Sequence, residues 1–321
     1  MLARGEVDRA SHRRHDTQWL AAAWADPGTA VLVVDDGTAL ITAVGEAADT
    51  GQAADTGEAT DTGEATDTGE AAVAELVFVP PGQAPDGVRM LLGVGPDGVV
   101  YFGVPGPLPD AGDPRSRPAS LREAGPLLSD RDAGLMTHAV ALANWHAVFV
   151  HCPRCGAITK PVSAGHSRLC PVDGSEHFPK IDPAMIVLVT DSGDRCLLAR
   201  NAQWPPRRVS ILAGFVEAGE SAEQAVAREV AEETGLSVGE IRYLGSQPWP
   251  MPQSLMLGFR AHASGDQEIT VDADEIAEAR FYSREELRAA IDSGEVRLPP
   301  PVSIAHRIIE SWYGADLPGS W

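Results

Sequence analysis

The sequence predicts an α+β chain in which a C-terminal α/β/α sandwich follows an N-terminal β-rich domain and a small cysteine-bearing module. Short apolar runs bounded by turn residues recur before residue 110. After residue 181, strand-like runs alternate with amphipathic helical segments, the pattern of a sheet layered between helices. Between these regions lie three of the four cysteines, at metal-site spacing. A length of 321 residues also favours more than one domain. The expected divisions are 1–128 for the β-rich domain, 129–150 for a connecting helix, 151–180 for the cysteine module and 181–315 for the sandwich.

Residues 19–25 are too short and too poorly flanked for a secretory signal and read as one face of a helix. Residues 29–34 form an apolar run ending at the turn signal Asp35-Asp36-Gly37, and 39–44 follow as its partner. Runs at 75–79, 89–94 and 99–104 continue the pattern, the last two joined by Gly95-Pro96-Asp97-Gly98. Ser129 caps a helix running towards Trp145, with Leu135, Ala139, Leu142 and His146 on related faces. Residues 184–190 and 195–200 read as a hairpin across 191–194. A helix at 222–234, strands at 242–246 and 255–261, and helices near 284–291 and 303–313 complete the prediction.

Net charge is −21, of which residues 46–70 supply eight carboxylates and no cation; the remainder is still −13. No counterion-releasing basic face is evident, so non-specific nucleic-acid binding is not expected. No apolar run approaches 18 residues, so no membrane span is expected, and the cytoplasm is the default compartment. Four acidic hexads occupy 47–70 and contain no Val, Ile, Leu or aromatic residue. They bury almost nothing to offset ordering entropy and read as a disordered insertion; their period does not match calcium-binding nonapeptides.

The chemistry concentrates in Gly214-Phe-Val-Glu-Ala-Gly-Glu220, seven further residues, then Arg228-Glu-Val-Ala-Glu-Glu-Thr-Gly-Leu236. Ser221 and Gln224 form a capping box, Ala222, Ala225, Val226 and Val230 an apolar stripe, and Gly235 a left-handed cap. Glu229, Glu232 and Glu233 stand at i, i+3 and i+4, so three carboxylates share one face. Like charges so placed repel by a few tenths of a kcal/mol each in water, and more when desolvated. A hard divalent cation, Mg²⁺ or Mn²⁺, removes that repulsion and brings an anionic pyrophosphate within reach. Arg228, four residues before Glu232, steadies one carboxylate.

This segment resembles the Nudix box, glycine-x5-Glu-x7-Arg-Glu-aliphatic-x-Glu-Glu-x-Gly-aliphatic, at every specified position. The resemblance implies the Nudix fold and a metal-dependent pyrophosphate hydrolase, with Glu229, Glu232 and Glu233 catalytic. A second motif, Ser246-Gln247-Pro248-Trp249-Pro250-Met251-Pro252-Gln253-Ser254, resembles the SQPWPFPxS signature of the NADH pyrophosphatase branch. Its prolines stiffen the backbone, and Trp249, Gln247, Gln253 and Ser254 offer stacking and polar groups for one pre-organised nucleotide wall. Met251 stands where the signature has Phe; it keeps apolar bulk and loses ring stacking. Asp274-Glu-Ile276 and Glu278-Ala-Arg-Phe-Tyr282 are similar to a family segment that implies Glu275 as a distal metal ligand. The same resemblance implies the Ala213 carbonyl, Glu229 and Glu233 as metal ligands, Phe178 and Phe215 beside the bound base, and Ala305 at a substrate contact.

Cys152-Pro-Arg-Cys155 and Cys170-Pro-Val-Asp173 resemble the family's structural zinc ribbon, with Asp173 in the fourth cysteine's place. Zinc accepts carboxylate or imidazole, so Asp173, His177 or His166 can complete a tetrahedron. Cys196 falls on an expected strand and reads as core. The resemblance further implies a homodimer, NADH or NAD⁺ as substrate with NMNH or NMN and AMP as products, and removal of NAD caps from RNA. The alternatives are another Nudix substrate, such as ADP-ribose, or a silent nucleotide sensor; the proline–tryptophan motif and the complete glutamate set argue against them.

Overall fold

Every strand and helix expected from the sequence has a counterpart in the computed structural model, which describes residues 2, 5, 7–44, 73–110, 112–265 and 267–319. The acidic hexads lie outside the described residues. The N-terminal region comprises α1 (Thr17–Ala25), β1 (Ala30–Val34), β2 (Thr38–Val44), β3 (Val73–Leu76), β4 (Met90–Val94), β5 (Val100–Pro105), β6 (Ser116–Ser120), α2 (Leu121–Ala124) and α3 (Asp130–Val148). Two three-stranded sheets form, β1-β5-β4 and β3-β2-β6, with β1 parallel to β5. The unbroken apolar run of β1 is explained by burial on both faces. Val31 and Val33 pack in the cluster that takes in Trp19, Leu20 and Trp24, whereas Leu32 and Val34 join Leu135, Met136 and Ala139 of α3. The helix at 130–148, expected as a connector, thus supplies core to the N-terminal region.

The cysteine module holds three short antiparallel strands, β7 (Lys160–Val162), β8 (Ser167–Leu169) and β9 (Glu176–His177). The C-terminal region contains β10 (Asp182–Thr190), β11 (Cys196–Asn201), β12 (Leu212–Phe215), α4 (Ala222–Thr234), β13 (Val238–Trp249), β14 (Ser254–Ala263), β15 (Ile276–Tyr282), α5 (Arg284–Asp292) and α6 (Ile304–Tyr313). Its mixed sheet runs β13-β14-β10-β11-β15, with β12 also paired to β10 and β14 parallel to β10. Alternation along β10 builds the sandwich. Met185, Val187 and Val189 face Ala225, Val226 and Val230 of α4, while Ile186 and Leu188 face Leu287 of α5 and Ile304, Ile308 and Ile309 of α6. Cys196 is fully buried in the latter layer, as expected. Among the described residues, no helix is long and apolar enough to cross a membrane.

Candidate active site and metal-binding groups

Helix α4 forms as its local code dictates. Gln224 N donates to Ser221 Oγ at 3.2 Å, Ser221 N donates to Gln224 Oε1 at 2.9 Å, and Gly235 ends the helix at φ 71°. Burying Val226 and Val230 against the sheet leaves Glu229, Glu232 and Glu233 along one side, graded from the exposed Glu232 to the 6%-exposed Glu233. Arg228 ties the cluster to its surroundings. Its guanidinium donates to both oxygens of Glu220 at 2.9 and 3.0 Å, to Glu232 Oε2 and to the Phe215 carbonyl at 2.9 Å each, and pairs with Glu229 at 2.9 Å. No local sequence signal marks Glu220 as the partner of Arg228, because the two stand eight residues apart across the helix start.

Two further segments meet α4. The stretch before β15 is pinned to the helix end, with Thr270 N donating to the Thr234 carbonyl at 2.9 Å and Asp272 N to the Glu233 carbonyl at 3.2 Å. Glu275 follows, its own carbonyl accepting from Ala202 N at 2.8 Å. On the other side, β12 lies so close that a Cβ at Gly214 would fall on the Glu229 carboxylate. The first glycine of the box is therefore a steric requirement of this close approach.

The electrostatics of the cluster favour a cation. Burial first, then the charges of Glu229, Glu275 and Glu232, push the Glu233 carboxyl up to about 8. Burial also raises Glu229, against the pull of Arg228. Oε2 of Glu233 is buried with no hydrogen-bond partner among the described residues. A buried, unpartnered carboxylate beside others is costly unless a positive charge joins it, and an all-oxygen donor set suits a hard divalent ion. In their chemistry these residues fit the cation that the box implies, although their carboxylate oxygens are not gathered to mutual ligand distance as the ligand atoms of the cysteine module are.

The proline–tryptophan motif is not one wall. Residues 246–249 belong to β13 and residue 254 opens β14, so 250–253 form the turn of a hairpin. Successive side chains of β13 point to opposite faces. Trp249 and Gln247 line a cavity of about 260 Å³ together with Ala213 and Ala305. Pro248, Pro250, Gln253 and Ser254 instead line a second cavity, of about 200 Å³, against the N-terminal region. Gln247 is fully buried and its amide is spent on backbone, accepting from Ile304 N at 2.6 Å and donating to the Val302 carbonyl at 2.7 Å. It holds the start of α6 against β13 and offers no free polar group. Gln253 donates to Asp182 Oδ2 at 2.7 Å, and Asn144 of α3 donates to the Pro250 carbonyl at 2.9 Å. Met251 packs against the N-terminal core, so its side chain meets protein where base stacking was expected. Pro252 is exposed at the turn, and Phe178 and Phe215 are 67% and 59% exposed, outside both cavities.

The first cavity also takes residues that no motif announced. Arg122, from α2 of the N-terminal region, lines it and lies over the Trp249 ring at 5.5 Å from the centroid. Trp204 and Ser303 line it as well. Strand β12 joins cavity to cluster, since Ala213 lines the one and Gly214 abuts Glu229 of the other.

In the cysteine module the ligand atoms of Cys152, Cys155, Cys170 and Asp173 all lie within 4.8 Å of one another, the one such set found among the described residues. Two matching turns produce it. Gly156 N donates to the Cys152 carbonyl and Gly174 N to the Cys170 carbonyl, and both glycines have positive φ, 76° and 72°. Burial opposes ionisation of Cys152, but hydrogen bonds from Ser175, the backbone of residues 154 and 155, and His177 bring its thiol down to about 6. His166 stands outside this set, its Nε2 directed at the Leu91 carbonyl of the N-terminal region at 2.7 Å. His177 stands behind Ser175, 3.0 Å from its Oγ. Asp173 is the group that closes the set.

Comparison with known proteins agrees with this anatomy. The NUDIX domain model matches residues 180–300, the NADH pyrophosphatase zinc ribbon domain 149–178, and the NADH pyrophosphatase-like rudimentary NUDIX domain 28–145. The NAD-capped RNA hydrolases NudC of Mycobacterium bovis and Mycobacterium tuberculosis are each 41% identical over 326 residues, covering 98% of this chain and 95% of theirs. The NAD-capped RNA hydrolase NUDT12 of Macaca fascicularis is 32% identical over 337 residues, covering 95% of this chain and 71% of its own. The chain belongs to the NudC, or NADH pyrophosphatase, family of Nudix hydrolases.

Proposed function

We propose that the chain hydrolyses the pyrophosphate bond of NADH or NAD⁺, giving NMNH or NMN and AMP, and removes NAD caps from RNA by the same reaction. The observation that carries this reading is the junction at β12, where a tryptophan-lined cavity and a buried carboxylate cluster share adjacent residues. A nucleotide half seated against Trp249 would present its diphosphate to the glutamates. Glu229, Glu233, Glu275 and the Ala213 carbonyl would hold Mg²⁺ or Mn²⁺. When bound, the cation screens phosphoryl oxygens, lowers the pKa of a ligated water and neutralises the departing phosphate. Glu232, exposed and held by Arg228, orients the water and accepts its proton. The water oxygen bonds to one phosphorus as the bridging P–O bond breaks, leaving two monophosphates. Arg122 offers a cation to the substrate from the N-terminal region.

The exposed rings of Phe178 and Phe215, with Ile181 61% exposed, support a homodimer in which base and partner copy cover them. The cytoplasm suits the clustered free thiols. The test is turnover of NADH, NAD⁺, NAD-capped RNA and ADP-ribose by the full chain with Mg²⁺ or Mn²⁺. AMP should appear together with NMNH or NMN, at a kcat/KM at least ~10-fold above that for ADP-ribose. Equal or better turnover of ADP-ribose overturns the substrate assignment.

Cys152, Cys155, Cys170 and Asp173 are proposed to hold one structural zinc. Metal analysis of the purified chain should give about one zinc per chain, Asp173→Ala should lose most of it, and Asp173→Cys should retain it. Full zinc in Asp173→Ala would remove Asp173 from the ligand set.

A further inference from the structure

On the far side of the β13–β14 hairpin from Trp249, two cavities of about 200 and 150 Å³ share Arg9, Thr137, His138 and Pro248. Although the chain carries −21, no carboxylate among the described residues lines either one. Their charged or titratable lining is Arg9, Arg131, His138, His166 and Lys180. Arg131 is paired with Asp132 and Lys180 with Asp182. Arg9 has no ion pair among the described residues. His138 is 8% exposed, with its ring 5.1 Å from that of His166. Arg14 stands close enough to disfavour protonation of both imidazoles, and its Nε is buried without a hydrogen-bond partner among the described residues. Burial first, then these neighbouring cations, hold both imidazoles below the ordinary histidine range. Arg9 and Arg14 are therefore the standing positive charges, and among the described residues no carboxylate lines the cleft opposite them. An anion would complete the arrangement and favour protonation of the pair.

We propose that this interdomain cleft binds a phosphate group, carried by a mononucleotide or by inorganic phosphate, through Arg9 and the His138–His166 pair. Gln253 and Ser254 add polar groups at the rim, and a tetrahedral oxyanion is well within the volume. The site is separate from the catalytic one and backs onto it. Pro248 and Pro250 face the phosphate, while Trp249 between them faces the substrate cavity. Occupancy would brace the hairpin from behind and steady Trp249, linking phosphate concentration to substrate affinity.

The test is calorimetric titration of the full chain, with no Mg²⁺ or Mn²⁺ added so that the glutamate cluster repels anions, using inorganic phosphate and AMP as separate probes at constant ionic strength. Wild type should bind at least one probe in the millimolar range or tighter. Arg9→Gln and His166→Asn should each weaken that binding by about 10-fold, with far-UV circular dichroism unchanged. Binding of AMP alone assigns the site to a mononucleotide, and binding of both assigns it to the phosphate group itself. No binding of either probe, or binding unaltered in both variants, overturns the proposal.

Discussion

Glu233→Gln is expected to lower kcat by at least ~10³-fold while the protein stays folded. The side chain is 6% exposed, with one oxygen unpartnered, so the isosteric amide fits the space and removes a charge that the fold alone does not use. Without divalent metal the substitution should even stabilise. The carboxyl is raised to about 8 by burial and neighbouring glutamates, so the folded state keeps a proton that the unfolded state has already released. The unfolded state then binds fewer protons between the ordinary glutamate range and pH 8. Stability of the metal-free wild type must fall as pH rises through that window and level off above it. Thermal unfolding from pH 5 to 8 should show this decline in wild type and a flatter profile in Glu233→Gln. A variant that melts far below wild type at pH 7, or hydrolyses substrate normally, contradicts the assignment.

Gly214→Ala is the second large effect expected. The new methyl would overlap the Glu229 carboxylate, which is the far end of a flexible side chain and can swing away. The fold should survive, whereas the carboxylate leaves the position that the cluster requires. A loss of about 10²-fold in kcat follows from so small a displacement, with a Tm within a few degrees of wild type. Undiminished turnover would show that the contact between β12 and Glu229 is dispensable.

Helix α4 was legible because its signals are local. Capping box, apolar stripe and glycine stop all lie within fifteen residues, and together they set the helix bounds at 222–234. Strands β12 and β15 were not anticipated as strands. The four residues of β12 include Gly214 and show no clean alternation, since their order is imposed by pairing with β10. The motif around Trp249 misled for a different reason. Prolines argue against a central strand, but β13 lies at the sheet edge, where a missing N–H breaks no ladder. Read as a loop, the motif seemed one surface; as a strand, it divides between two cavities. The packing of Met251 and the arrival of Arg122 are contacts across more than a hundred residues, which no local pattern encodes. Three thiols and two turns marked the ribbon, yet only geometry separated Asp173 from His166.

The most direct test of the cation site is anomalous diffraction from crystals of the full chain soaked in Mn²⁺. A manganese peak within coordination distance of Glu229 and Glu233 is the expected result, absent from Glu233→Gln crystals treated alike. A catalytically active crystal saturated with Mn²⁺ that shows no peak at these glutamates would contradict the account.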